Sequence, residues 1–157
     1  MNSEIPTRSD VFAQRFSPTP RGARLARLLV VEHLAHHGWP RDHELTETAE
    51  LVVGELAANA VIHAAEVRAD FEVRMISDAL NRTLRIEVAD PMGLGRVGPA
   101  QARQPAAHSG MSESGRGLRI VEAITAAWGV DPHPAGGKTV WAVIPLPVLA
   151  EALPGRA

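Results

Sequence analysis

The sequence has no cysteine anywhere in its 157 residues. That excludes a disulfide framework, a thiol nucleophile and a thiolate metal site, and it fits a reducing compartment. No run of apolar residues approaches the length that a bilayer-spanning helix needs. The N-terminal stretch is polar and has no apolar signal core, so a cytoplasmic location is the expectation. Net charge is also scarce: 16 Lys and Arg stand against 18 Asp and Glu, a formal balance of -2. A general electrostatic pull toward nucleic acid or an anionic membrane is therefore absent. No internal repeat is evident.

What remains is the composition of an ordinary globular protein, with 45% hydrophobic and 22% charged residues. The length suits one domain with a real core. The expected organisation is a flexible N-terminus over residues 1 to 10, one domain over 11 to 147 and a short Ala-rich tail over 148 to 157.

Along the chain, residues 11 to 16 read as a short edge strand, with Phe12 and Phe16 on one face. Thr19-Pro20 starts a helix whose apolar positions are Leu25, Leu28, Leu29 and Leu34, ending at Gly38. Asp42 is the candidate cap of a second helix running to about Ala64, with Leu45, Ala49, Val52, Leu56 and Ala60 as its buried stripe. Residues 71 to 76 and 84 to 89 alternate apolar and polar around an Asn81-Arg82 turn, as a hairpin does. Residues 90 to 116 carry no periodicity. A helix over 117 to 127 and a strand over 139 to 144 follow; the strand is apolar on both faces and so is expected in the middle of a sheet.

Three features carry possible chemistry. On the second helix Glu55, Asn59 and His63 are spaced four apart, along the edge of the apolar stripe. A carboxamide oxygen suits a hard cation such as Mg²⁺, and a carboxylate one turn away can accept a proton. On spacing alone, a polar helix edge is the better reading. Gly115-Arg116-Gly117-Leu118 stands before the third helix, where free N–H groups and two glycines would admit an anion. A flexible connection explains it equally well. Asp90 closes a strand and could accept from the exocyclic amine of a base; taken alone it is a turn aspartate.

Other patterns fail on context. Gly93-Leu94-Gly95-Arg96-Val97-Gly98 matches the dinucleotide fingerprint, but Pro99 and Pro105 break the helix it requires. Gly137-Lys138-Thr139 has Pro132 where a P-loop needs its first glycine, and it enters a strand. His33 and His37 lack a third zinc ligand with suitable spacing.

The order of the three features is more telling than any one of them. Glu55 to His63, a hairpin ending at Asp90, a long loop, Gly115-Arg116-Gly117-Leu118 and a strand opening at Thr139 together resemble the ATP-binding domain of the GHKL (Bergerat-fold) superfamily. Within it the chain looks most like the small anti-sigma-factor serine/threonine kinases. The resemblance implies an α/β two-layer sandwich: a mixed, mostly antiparallel sheet with helices on one face. It implies ATP and Mg²⁺ as cofactors, with Asn59 ligating the metal and Glu55 as general base. Asp90 would bind the adenine amine, and Gly115, Arg116, Gly117 and Leu118 would surround the phosphates. Thr139 would support adenine, His63 would have a supporting role, and residues 96 to 114 would form a lid. The family's second motif reads Asp-x-Gly-x-Gly, whereas Asp90-Pro91-Met92-Gly93-Leu94-Gly95 is one residue longer, which leaves Gly93 and Gly95 open as contacts.

The implied function is an ATP-dependent serine/threonine protein kinase that phosphorylates a small antagonist protein and holds a sigma factor in a competing complex. The alternative is a non-catalytic ATP-binding module that switches between those partners. An ATPase piece of a two-component system is a third reading, disfavoured because no phospho-acceptor histidine module is present. Relatives suggest a homodimer. Neither nucleic acid nor membrane is expected as a direct partner.

Overall fold

Period-two alternation writes one apolar face onto the strands, and that face sets the architecture. The computed structural model describes residues 10–64, 68–90, 113–132 and 136–147. In chain order these form β1 (Asp10–Phe16), α1 (Pro20–His36), α2 (Glu44–Ala64), β2 (Phe71–Asp78), β3 (Thr83–Asp90), α3 (Glu113–Ile124), β4 (Ala127–Pro132) and β5 (Lys138–Pro145). The strands make one sheet in the order β1-β2-β3-β5-β4. Every pairing among them is antiparallel.

Phe71, Val73 and Met75 of β2, Leu84, Ile86 and Val88 of β3, and Val140, Ala142 and Ile144 of β5 are all buried. The register sets them side by side: Val73 faces Val88, and Val88 faces Val140. The expected stripe of α2 lies against this face and is buried throughout, and α1 joins the same core through Ala26, Val30 and Leu34. The result is the expected two-layer α/β sandwich. The opposite sheet face is polar and partly open. There Arg15 pairs with Glu72 at 3.6 Å and Arg85 with Glu87 at 2.7 Å. The Arg85 guanidinium also lies 4.5 Å from the centre of the Trp141 ring, covering the second apolar side of β5.

Helix ends follow local chemistry. The Thr19 hydroxyl accepts from the Gly22 N–H at 3.0 Å, with Pro20 at the first helical position. Gly38 takes φ 92°, and the Trp39 N–H then returns to the Leu34 carbonyl at 2.9 Å, which turns Trp39 into the core.

Four expectations are corrected. The cap of α2 is His43, whose Nδ1 accepts from the Leu45 N–H at 3.0 Å, not Asp42. In α1, Leu25 and Leu28 are exposed, and the buried face passes instead through Gly22, Ala26, Val30, Val31 and Leu34. Two apolar stripes are present on this helix, and the smaller residues allow the closer packing. A strand, β4, occupies 127–132, where none was expected; it is an edge strand of mixed burial, so it lacks the alternation of a half-buried one. The third helix starts at Glu113 and ends at Ile124 rather than spanning 117 to 127.

Gly22 sits so close to the preceding turn that a Cβ there would run into the Ser17 carbonyl oxygen. Gly22→Ala is expected to destabilise the domain by about 1–3 kcal/mol, because backbone must move to admit the methyl. The shift in urea midpoint at unchanged m-value measures it.

Candidate functional site

The row on α2 keeps its predicted edge position. Leu56 and Ala60 are buried beside it, Glu55 and Asn59 are half-buried, and His63 is exposed near the helix end. Glu55 and Asn59 are therefore partly covered while anchored on a helix held by the core.

What faces Glu55 is α3. Gly115, Arg116, Gly117 and Leu118 lie inside the first turns of this helix, not in a turn before it. Paired glycines signal a loop in sequence, but here the glycine answers a packing demand. A Cβ on Gly117 would stand 2.5 Å from the Glu55 Oε2. Gly117 is buried in that crossing, Leu118 packs against the core, and Arg116 is exposed. The first residues of a helix carry N–H groups without intrahelical partners, and in α3 they lie about one turn before the Gly117–Glu55 contact.

The third part of the site is the end of the sheet. Asp90 closes β3 and is only 3% exposed. Its register partner on β5 is Lys138. Asp90 continues the inward series of Ile86 and Val88, and Lys138 that of Ala142 and Val140, so both side chains project to the helix side. Burial lowers the Lys138 pKa from its ordinary value, with Asp90 opposing the shift. The His63 pKa is also lowered. Crowding of the ring by its surroundings comes first, although much of its surface is open, then the Lys138 charge, against the opposing effect of Asp90. Three elements thus bring His63, Asp90 and Lys138 within electrostatic reach of one another.

Thr139 behaves differently. It lies opposite Ala89 and Asp131, and alternation turns its side chain to the far face with Trp141 and Val143. The structure does not bring Thr139 to Asp90; it brings Lys138, which sequence reasoning set aside with the P-loop pattern. The signal was available in the strand itself, since Lys138 shares the parity of Val140, Ala142 and Ile144. The tight entry to β5 uses Gly136 and Gly137 at φ 97° and 88°. Gly93, Gly95 and the loop through residue 112 lie outside the described residues.

Among the described residues no group of three His, Asp or Glu side chains could hold a metal. A cation here would need oxygens from its ligand in addition to Asn59. That is how Mg²⁺ is usually held when it arrives on phosphates. The start of α3 and the buried carboxylate of Asp90 offer the donors and the acceptor that a nucleotide takes. A groove of about 720 Å³ also opens along α1 and α2, bordered by Arg24, Arg27, Glu50, Leu51 and Ile62, and it reaches Glu55.

Gly117→Ala is expected to leave the fold intact, because the atom it meets is the mobile end of Glu55 and alanine favours a helix by about 1 kcal/mol over glycine. A crystal structure of the variant should show the Glu55 carboxylate displaced, with thermal stability retained. A second expectation concerns pH. The unfolded chain protonates His63 near pH ~6.5 while the folded state resists, so this contribution to stability is complete above that pH and is lost on acidification. Denaturation between about pH 7.5 and 5.5 should show wild type losing stability relative to His63→Asn.

Comparison with known families agrees with this geometry. The model of the histidine kinase-like ATPase domain matches residues 16–144, from the end of β1 into β5. No curated protein matches the chain. A domain of this kind implies ATP as the ligand. With most of the sandwich, the α2 row, the α3 start and the buried Asp90 inside the matched span, this chain belongs to the histidine kinase-like ATPase domain family.

Proposed function

We propose that the domain is an ATP/Mg²⁺-dependent serine/threonine protein kinase of the anti-sigma-factor type, acting on a small antagonist protein and holding a sigma factor in a competing complex. The observation that carries this reading is the contact of α3 with Glu55 at Gly117, which sets a candidate base beside a helix start suited to phosphates.

Asn59 would hold Mg²⁺ together with phosphate oxygens, and Gly115, Arg116, Gly117 and Leu118 would line the phosphates. Asp90 would accept from the adenine amine, and His63, in its neutral form, would support that end. When bound, Mg²⁺ neutralises charge on the phosphates. Glu55 takes the proton from the partner's hydroxyl as that oxygen bonds to the terminal phosphorus; the bond to the bridging oxygen breaks and ADP leaves. The groove that reaches Glu55 from the α1–α2 side gives a protein segment a path to the same carboxylate. A homodimer is the assembly that fits this type.

A second reading, a module that binds ATP and switches partners without transfer, draws on the extra residue in Asp90-Pro91-Met92-Gly93. Labelled ATP with a co-purified partner separates the two, since phosphate on the partner sinks the non-catalytic reading. Glu55→Ala should retain nucleotide binding and lose transfer by a factor of about 10² or more. Asn59→Ala should lose Mg-ATP binding. Full transfer by Glu55→Ala would remove it from the mechanism.

A further inference from the structure

We propose that Lys138 reads the base together with Asp90: the carboxylate accepts from the exocyclic amine of adenine, and the ammonium donates to the ring nitrogen beside that amine. This inference rests on the reading of Asp90 as the adenine-binding acid and adds a specificity-determining residue to it.

The register carries the argument. Asp90 and Lys138 are direct partners on adjacent strands, at the end of their pairing and on the helix side of the sheet. Side chains at directly opposed positions stand about 5 Å apart at their Cβ atoms. The next inward pair, Val88 and Val140, belongs to the core, so an acid and a base replace apolar residues where the core series ends. Structure alone would favour an apolar residue at 138, because charge is costly in a desolvated place. The lowered pKa of Lys138 reflects that cost, and Asp90 offsets part of it. The strand's other partner at this position is Pro132, which has no charge, and Asp131 lies across from Thr139 on the far face. His63 faces the pair from α2, and its lowered pKa favours the neutral ring, so it adds no second cation.

The chemistry matches the amine-bearing side of adenine, a donor-beside-acceptor pattern that cytosine shares. Adenine offers an amine donor flanked on both sides by ring-nitrogen acceptors. An acceptor carboxylate beside a donor ammonium complements that pattern. The Thr139 hydroxyl cannot serve here, since its side chain leaves the other face of the strand.

The test is calorimetric titration of the full chain with Mg²⁺ and ATP, 1-deaza-ATP or 7-deaza-ATP, using wild type, Lys138→Met and Lys138→Arg. Circular dichroism confirms the fold of each. Wild type should bind one of the two deaza analogues about tenfold more weakly than ATP, as the loss of a charge-assisted hydrogen bond requires. Lys138→Met should bind ATP about tenfold more weakly yet bind that same analogue as wild type does, because the bond can be lost only once. Lys138→Arg should restore part of the discrimination. The inference is overturned if Lys138→Met binds ATP as wild type does, or weakens ATP and both analogues alike. It is equally overturned if Lys138→Met still discriminates as wild type does. Those results, with ATP binding intact in wild type, would leave the reading of the site standing; failure of wild type to bind ATP would remove both.

Discussion

The site depends on a missing side chain. The Glu55 carboxylate can rest against α3 as it does only because residue 117 has no Cβ, which would stand 2.5 Å from its Oε2. The contact joins two unlike electrostatic features. One is the start of a helix, with N–H groups pointing outward and a positive dipole end. The other is a half-buried carboxylate held on a helix whose apolar stripe is locked into the core. Under the proposed function, one would face the phosphates and the other would accept the proton. Their contact gives the combination its geometry.

The sheet supplies the other end by a simpler rule. In an antiparallel pair, opposed residues share a face and successive residues alternate. The apolar series of β3 and β5 therefore hands its direction to Asp90 and Lys138, where the strands leave the core. The same rule sends Thr139 away. Charge at the margin of a core is costly unless neighbours compensate it. The compensation is visible in the opposed effects of Lys138 and Asp90 on His63 and in the effect of Asp90 on Lys138.

Much of the fold was legible in order and type. The α2 stripe, the β2–β3 hairpin and the central place of β5 follow from strong periodicity, which the core then uses directly. The errors fall where periodicity is weak or ambiguous. β4 is a short edge strand with mixed exposure, so nothing in its sequence alternates. α1 carries two apolar stripes, and only packing selects the one with Ala26 and Val30. The cap of α2 moved from Asp42 to His43 because an imidazole nitrogen, not the usual carboxylate, accepts the free Leu45 N–H. Glycines at 115 and 117 resemble a loop when read locally, although a helix accommodates them at its first turn.

By itself the sequence determined the helix that carries Glu55, Asn59 and His63 and the order in which an acid, a glycine pair and a final strand follow, and the layered class came only through the family resemblance of that order. Those are properties of spacing along one chain, and spacing is what a sequence records. Only the tertiary structure decided which of these residues meet. Contact between α2 and α3 and pairing of β3 with β5 join positions far apart in the chain, and the sheet register selects Lys138 over its neighbour Thr139 by a single residue step. A one-residue difference reverses the face of a strand; the parity groups Lys138 with Val140, Ala142 and Ile144, and the packing of that series under the helices decides which group faces them.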